Sequence, residues 1–403
     1  MTPPHIEFYT LAFSTDDETL QDSFDDPAAA TDWLRRALAE PLPTDPGDAR
    51  QHHTRIGTAA RMLRRLDIAE QHLASALLLA SEHGRDEEAV FARIRLAHVL
   101  QWQGRFDEAI VEFDRCIEES GRIGSLSSRK YFAFQHAGKC HYDAGNWEVA
   151  RGHFAMALRL RLASDADPEL IASSSQALNA ADACFTGRLA AQELDRLVPA
   201  AHARLSDLPA RAELLVDLRG PLADGVVPMA LVRAVHRYVP KLDAALETLV
   251  GDGWLLRRGD GVAMTPRSRE LLAEVSERLD AAATELWGEP EELLAMAQLV
   301  VERATGTSAG VVFDALAARP PVGSVAGRLL DRLSALRYHR ADAHAAAWQA
   351  EGLTADGVRA LRDSDPVRRR IEAATGRVAA RPYRRIEPEQ RARLIAALHT
   401  LPS

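Results

Sequence analysis

The chain has 403 residues, of which 47% are hydrophobic, 27% charged and only 6% aromatic. That length allows two or three domains, each with its own core, and no apolar run is long enough to form a membrane span. The net charge is −9, and the three cysteines (Cys116, Cys140 and Cys184) fit neither a zinc spacing nor a disulfide framework, so reduced thiols are expected.

Charge is unevenly spread. Residues 1–205 carry −9, residues 206–319 carry −6 and residues 320–403 carry +6. A polyanion is repelled by the first two segments and attracted by the last. The start, MTPPHIEFYT, has no basic stretch followed by an apolar one, so no secretory leader is expected and a cytoplasmic location is. The abundance of Ala, Leu and Arg favours helices and points to a GC-rich bacterial genome.

Residues 1–49 read as a cap segment. HIEFYTLAF is either a short strand or an apolar plug. DPAAATDWLRRALAE reads as one helix with Asp26 at its N-cap, and PLPTDPGD interrupts regular structure.

Residues 50–205 contain an internal repeat. Gly57, Ala97 and Gly138 recur at a period of 40 to 41, followed in step by Ala69, Ala109 and Ala150. Next come Leu73, Phe113 and Phe154, then Ala76, Cys116 and Ala157. Asn179 and Ala191 continue the register into a degraded fourth unit. Small residues let the two helices of a hairpin cross closely, larger ones fill the space beside them, and Gly104 and Gly145 permit tight turns. The pattern resembles the tetratricopeptide repeat, whose usual period is about 34 residues, in a longer-helix form. The resemblance implies a curved stack whose first helices line a groove for a peptide or a partner protein. The groove candidates are Arg61, Phe91, His98, Gln101, Phe132, Gln135, Lys139 and Tyr142. Their plain alternative is a role in the scaffold.

Residues 206–288 read as a smaller domain. LPARAELLVDLRG is expected to be a helix ending at Gly220, VPMALVRAVHRY a second beginning at Pro228, and KLDAALETLVGDG a third stopped by Gly253. WLLRR and VAMT follow as strands around a Gly-Asp-Gly turn. Thr265 then caps a helix opened by Pro266. This order resembles the winged helix-turn-helix of the MarR and ArsR regulators, in which the third helix enters the major groove and the wing touches the backbone. The resemblance implies DNA contacts from Arg233, Arg237, Lys241, Arg257 and Arg258. The composition departs from that use. The third helix sets one Lys against Asp243 and Glu247, and residues 239–253 hold no Arg, Asn or Gln, the types that read bases best. A winged helix can instead hold a peptide as an added strand. In the helix after the wing, Leu271, Leu272, Val275, Leu279 and Ala282 share a face, which serves either a homodimer or packing within the chain.

Residues 289–403 read as a helical region with a basic tail. Ser324 is expected to cap a long helix that stops at Gly352 and contains LRYHRADAH. A helical wheel sets Arg337, Arg340 and His344 on the same side as Leu329, Leu333 and Leu336, with Tyr338 and Asp342 away from it. Buried cations need partners, so the cluster implies either an acidic neighbour or a pocket for an anionic ligand. His339 and His344 are too far apart round the helix to chelate one metal ion. The string from Leu336 to Leu353 resembles the SalK-type helix-turn-helix family of actinobacteria, with the order of segments reversed. Arg368, Arg369, Arg370, Arg384 and Arg385 suit nucleic acid, an acidic partner or the chain's own acidic surface.

No nucleophile elbow, phosphate loop, dinucleotide loop, HExxH or CxxC occurs, and neither cofactor nor metal is expected. The sequence thus reads as a mostly α, non-catalytic recognition protein: a TPR-like helical-hairpin solenoid, a winged helix-turn-helix domain and a C-terminal helical bundle. The leading expectation is a transcriptional regulator that binds double-stranded DNA. Its rivals are an adaptor presenting a precursor peptide to a modifying enzyme, and an enzyme built on the cluster at 337–344.

Overall fold

The structure, a computed structural model, describes residues 7–205, 208–209, 211–307 and 310–403. The protein is mostly α-helical. It divides into two compact units, Met1–Asp182 and Ala183–Ser403, and the division falls inside the helix Pro168–His202.

The first unit opens with a small hairpin. Strands β1 (Phe13–Thr15) and β2 (Asp22–Phe24) pair antiparallel, with Phe13 opposite Phe24 and Thr15 opposite Asp22. Helix α1 (Pro27–Ala39) follows, and the Asp26 side chain accepts from the Ala28 and Ala29 amides at 3.0 and 2.9 Å. Three antiparallel helix pairs come next. They are α2 (Pro46–Met62) with α3 (Leu66–Glu82), α4 (Asp86–Trp102) with α5 (Phe106–Arg122), and α6 (Tyr131–Asp143) with α7 (Trp147–Ala163). Trp33 and Leu34 of α1 share one apolar cluster with Ile56, Ala59, Leu73 and Val99, so the cap segment and the first pair have a common core.

The recurring small residues mark the helix crossings. Ala69, Ala109, Ala150, Leu73, Phe113, Phe154, Ala76, Cys116 and Ala157 are all 0% exposed. Gly104 and Gly145 turn the chain between helices at φ +79° and +80°, and Arg64 takes the same place in the first pair at φ +61°. A side chain costs roughly 1–2 kcal/mol in that conformation, and Arg64 is held there by stacking on Trp102.

The fourth pair expected from Asn179 and Ala191 is not formed. Residues Pro168–His202 make one continuous helix, α8, of 35 residues. The segment between those two positions is rich in helix formers and lacks a turn. Its glycine, Gly187, stays helical and lets Tyr383 approach to 3.4 Å of where a Cβ would stand.

The second unit continues from α8 with two short helices, α9 (Glu213–Val216) and α10 (Arg219–Ala223). These replace the single helix expected over 208–220: the positive φ of Arg211, +65°, delays the start, and Gly220 lies inside α10 instead of ending a helix. Strand β3 (Val227–Pro228), helices α11 (Met229–Val235) and α12 (Leu242–Gly251), strands β4 (Leu255–Arg258) and β5 (Gly261–Met264), and helix α13 (Pro266–Trp287) follow. The sheet order is β3-β5-β4, all antiparallel. Gly261, expected in the turn, belongs to β5, opposite Arg258 and Pro228, and must be glycine there because a Cβ would lie 2.5 Å from the Val227 carbonyl oxygen. Thr265 and Ser268 form a reciprocal capping box at the start of α13. Leu272, Val275, Leu279 and Ala282 are buried within the single chain and Leu271 is partly buried against the same core, so the stripe that suited a homodimer is largely internal.

The remaining helices are α14 (Glu291–Ala304), α15 (Val311–Ala317), α16 (Val325–Ala350), α17 (Ala355–Ala360), α18 (Pro366–Ala379), α19 (Arg381–Arg384) and α20 (Pro388–Thr400). Ser324 caps α16, and Gly352 ends it at φ +72°. Helix α16 packs against α13, α14, α15 and α18. It is therefore buried on several sides, and a one-faced wheel misplaces its residues. Asp342, set away from the apolar side by the wheel, is 3% exposed, whereas the side chain of Arg337, set on that side, is 46% exposed. Among the described residues, no helix is long and apolar enough to cross a membrane.

Candidate functional site

The helices α2, α4 and α6 present a line of polar side chains, and the turn between β1 and β2 lies across it as a strap. The turn is built by Asp16, whose Oδ1 accepts from the Glu18 and Thr19 amides at 3.0 and 2.6 Å and from the Thr19 hydroxyl at 2.8 Å. Asp22, at the start of β2, meets Lys139 Nζ at 3.2 Å and Arg61 at 3.6 Å, and accepts from Thr15 Oγ1 at 2.8 Å. Tyr142 donates its hydroxyl to the Glu18 carbonyl at 2.8 Å. Gln21 donates to Asp143 Oδ2 at 2.9 Å and accepts from Arg64, and Gln176 donates to Asp17. The guanidinium groups of Arg61 and Arg64 lie 4.5 and 3.9 Å from the Trp102 ring centre. Each such cation–π contact contributes about 0.5–2 kcal/mol and holds the floor in place.

A hydrogen-bonded chain backs the floor. Gln101 Nε2 donates to Asp143 Oδ2 at 2.7 Å, and its Oε1 faces His98 Nδ1 at 2.9 Å. That oxygen can only accept, so His98 carries its proton on Nδ1 and its Nε2 accepts from His136 Nδ1 at 2.7 Å. Both imidazoles are neutral. Burial, with His136 and Arg61 adding to it, holds His98 well below the usual histidine range. Burial and then Lys139 push His136 down to about 3. Burial alone raises the Asp22 carboxyl, but Lys139 and Arg61 outweigh it and the group titrates below its usual range.

Of the eight groove candidates, Arg61, Lys139 and Tyr142 touch the strap, and His98 and Gln101 stand behind them. Gln135 is turned toward α8, where it accepts from Ser174 at 2.6 Å. Phe91 and Phe132 meet edge to face at 5.9 Å, and Phe91 lines a separate cavity of about 270 Å³ with Tyr9, Arg50 and Arg95. Repeat spacing alone does not single out Arg64, His136, Asp143 or the strap. The available signal was the acidic run STDDETLQD, which complements Arg61 and Lys139.

The cations assigned to DNA are mostly engaged. Arg233 pairs with Asp243 at 3.0 Å, and Arg257 pairs with Glu247. Arg237 points inward, bonding Asp342 and the Ala341 carbonyl. Lys241 and Arg258 are exposed.

Arg337, Arg340 and His344 do come together, on a cavity of about 290 Å³ that Tyr238 and Tyr338 also line. Each has a carboxylate beside it. Arg337 meets Asp195 at 2.9 Å, while Glu372 of α18 takes Arg340 at 3.3 Å, His344 at 3.5 Å and Arg368 at 3.2 Å. The His344 hydrogen bond, then Arg340, hold the Glu372 carboxyl below its usual range against the effect of burial. In the tail, Arg370 pairs with Glu351 at 2.7 Å and Arg369 caps the Ser364 carbonyl at 3.0 Å. These cations face carboxylates and carbonyls of their own unit. Among the described residues, no three His, Cys, Asp or Glu side chains cluster as a metal site.

No family model matches the chain, and no curated protein does. One solved structure that it matches is BtubC (BKLC) from P. vanneervenii, 21% identical over 38% of this chain and 62% of that chain, with a TM-score of 0.31.

Proposed function

We propose that the protein is a recognition protein whose helix pairs are tetratricopeptide-type repeats, and that their groove holds a peptide segment of a partner. The observation that carries this reading is the strap itself. A peptide-like stretch lies on Arg61, Lys139 and Tyr142, which read it through its Asp22 carboxylate and its Glu18 main-chain carbonyl. A carboxylate set between two cations gives the strong, directional bonds that peptide recognition uses. Display selection of peptides on the full chain, followed by calorimetry, tests it. Selected peptides are expected to bind Lys139→Glu at least about tenfold more weakly, a change of about 1.4 kcal/mol. Selected peptides that ignore this change overturn the reading.

The order helix α10, strand β3, helices α11 and α12, strands β4 and β5 favours a second reading, a winged helix. Its charge supports a protein or peptide contact over DNA. Arg233 and Arg257 are paired with carboxylates of α12, the helix that a DNA reader inserts, and those pairs must break before phosphates are neutralised. We therefore place the adaptor reading ahead of the regulator. Gel retardation of duplex DNA with a steep salt dependence, weakened by Arg257→Ala with Arg258→Ala, reverses that order. Catalysis by Arg340 and His344 draws no support from their pairing with Glu372.

A further inference from the structure

We propose that the strap is a displaceable plug, and that the groove takes an acidic turn of a partner, its carboxylate set between Arg61 and Lys139, only when residues 14–22 leave. This rests on the groove reading above and adds the kind of partner and its control.

Charge complementarity is the first argument. The strap runs Ser-Thr-Asp-Asp-Glu-Thr-Leu-Gln-Asp over residues 14–22, and Asp22 is the carboxylate that the two cations share. Most of the floor residues have partners besides the strap. Arg61 and Arg64 rest on Trp102, and Gln101, His98 and His136 are bonded to one another behind them. An arriving carboxylate thus finds its partners already placed, which lowers the cost of ordering them.

The strap is also held in a way that lets go. Its grip on the groove is largely polar, through Asp17, Glu18, Gln21 and Asp22, with Leu20 the one buried apolar side chain between residues 14 and 22, and Phe13 is 61% exposed. Leu20 is buried but sits at φ +57°, a strained conformation for a branched side chain. At the base, Phe24 packs into the cluster of α1 and α2, so the segment can lift while its anchor stays. Because it is tethered, its effective concentration is in the millimolar range. A partner in trans therefore competes with the strap, and its apparent affinity falls by the fraction of open molecules.

The test uses the full chain and a synthetic peptide with the sequence of residues 13–25, measured by calorimetry. Asp22→Lys sets a like charge against Arg61 and Lys139 and lifts the strap. It is expected to bind the peptide at least about tenfold more tightly than the wild-type chain does, and Asp22→Asn to fall between. The same peptide with Asp22→Ala is expected not to bind. If Asp22→Lys does not fold, Asp22→Asn carries the comparison. Equal affinity for the variants and the wild type overturns the plug and leaves the groove reading standing. A folded Asp22→Lys chain that binds neither this peptide nor any selected by display overturns both. A wild-type dimer by light scattering that Asp22→Lys turns into a monomer overturns the plug in favour of strap exchange between two copies.

Discussion

Phe154 lies so close to Gly138 that a Cβ on the glycine would stand 2.6 Å from Cε1 of the ring. Gly57 stands in the same relation to Leu73, at 2.5 Å from Cγ, whereas the middle pair accommodates the Cβ of Ala97. Two effects compete in Gly138→Ala. The alanine gains about 1 kcal/mol of helix propensity, and overpacking a buried crossing costs about 1–3 kcal/mol. A buried aromatic ring yields little, so the cost wins and the variant melts at lower temperature. Gly57→Ala is expected to lose a similar amount, because Leu73 is fully buried and the Ala69 carbonyl oxygen stands 3.3 Å from the new Cβ. A Gly138→Ala chain as stable as wild type in urea denies the close crossing.

That relationship was legible in the sequence because packing leaves one answer at each crossing, and the answer recurs. The caps at Asp26, Thr265 and Ser324 were legible for a similar reason: a side-chain acceptor next to a helix start has a local signature. The strap was not. Its meaning depends on Asp22 meeting Lys139, far along the chain, and no local period encodes that pairing. Asp342 was misplaced because a wheel assumes one buried face, and α16 has several. The continuous helix over 168–202 was hidden by small residues that keep the register of the repeat without the turn between its helices.

The neutral pair His98 and His136 makes the first unit sensitive to mild acid. In the unfolded chain these imidazoles titrate near 6.5, and in the fold they sit far lower, His136 at about 3. Below the unfolded value the unfolded chain binds protons that the folded one refuses, so stability falls as pH falls. Above about pH 6.5 the effect vanishes. Each histidine contributes a slope of at most about 1.4 kcal/mol per pH unit. Urea melts at pH 7, 6 and 5 are expected to show this loss before most carboxylates begin to protonate. His136→Asn, which keeps a donor for His98, is expected to remove about one histidine's share. An unchanged slope in that variant contradicts the buried neutral assignment.

Asp342 joins three elements of the second unit. Its Oδ2 accepts from the Val312 and Phe313 amides at 3.0 Å each, and its Oδ1 from Arg237. Its side chain is 2% exposed and that of Arg237 11%. Removing one partner of a buried pair costs about 3–5 kcal/mol, because the other charge is left without compensation. Asp342→Ala is therefore expected to lose that much stability by urea denaturation. Asp342→Asn keeps an acceptor for one amide and is expected to lose less. A loss below about 1 kcal/mol in Asp342→Ala means that Arg237 escapes to water.

Glu372 occupies the place that an anion would take beside Arg340, His344 and Arg368. Glu372→Gln removes the charge but not the bulk, and leaves Arg340 and Arg368 facing a neutral amide. Glu372 and Arg340 are 38% and 40% exposed, so the loss is expected to be at most about 1 kcal/mol, and the variant melts slightly earlier. Sulfate then has a role in the variant that it lacks in the wild type. A ligand that binds only the folded state stabilises it by RT ln(1 + [L]/Kd), so sulfate should restore part of the lost melting temperature in Glu372→Gln. Sodium chloride at equal ionic strength is the control, because screening alone acts on both proteins alike. Equal responses of variant and wild type to sulfate show that the carboxylate is not what keeps an anion from this cavity.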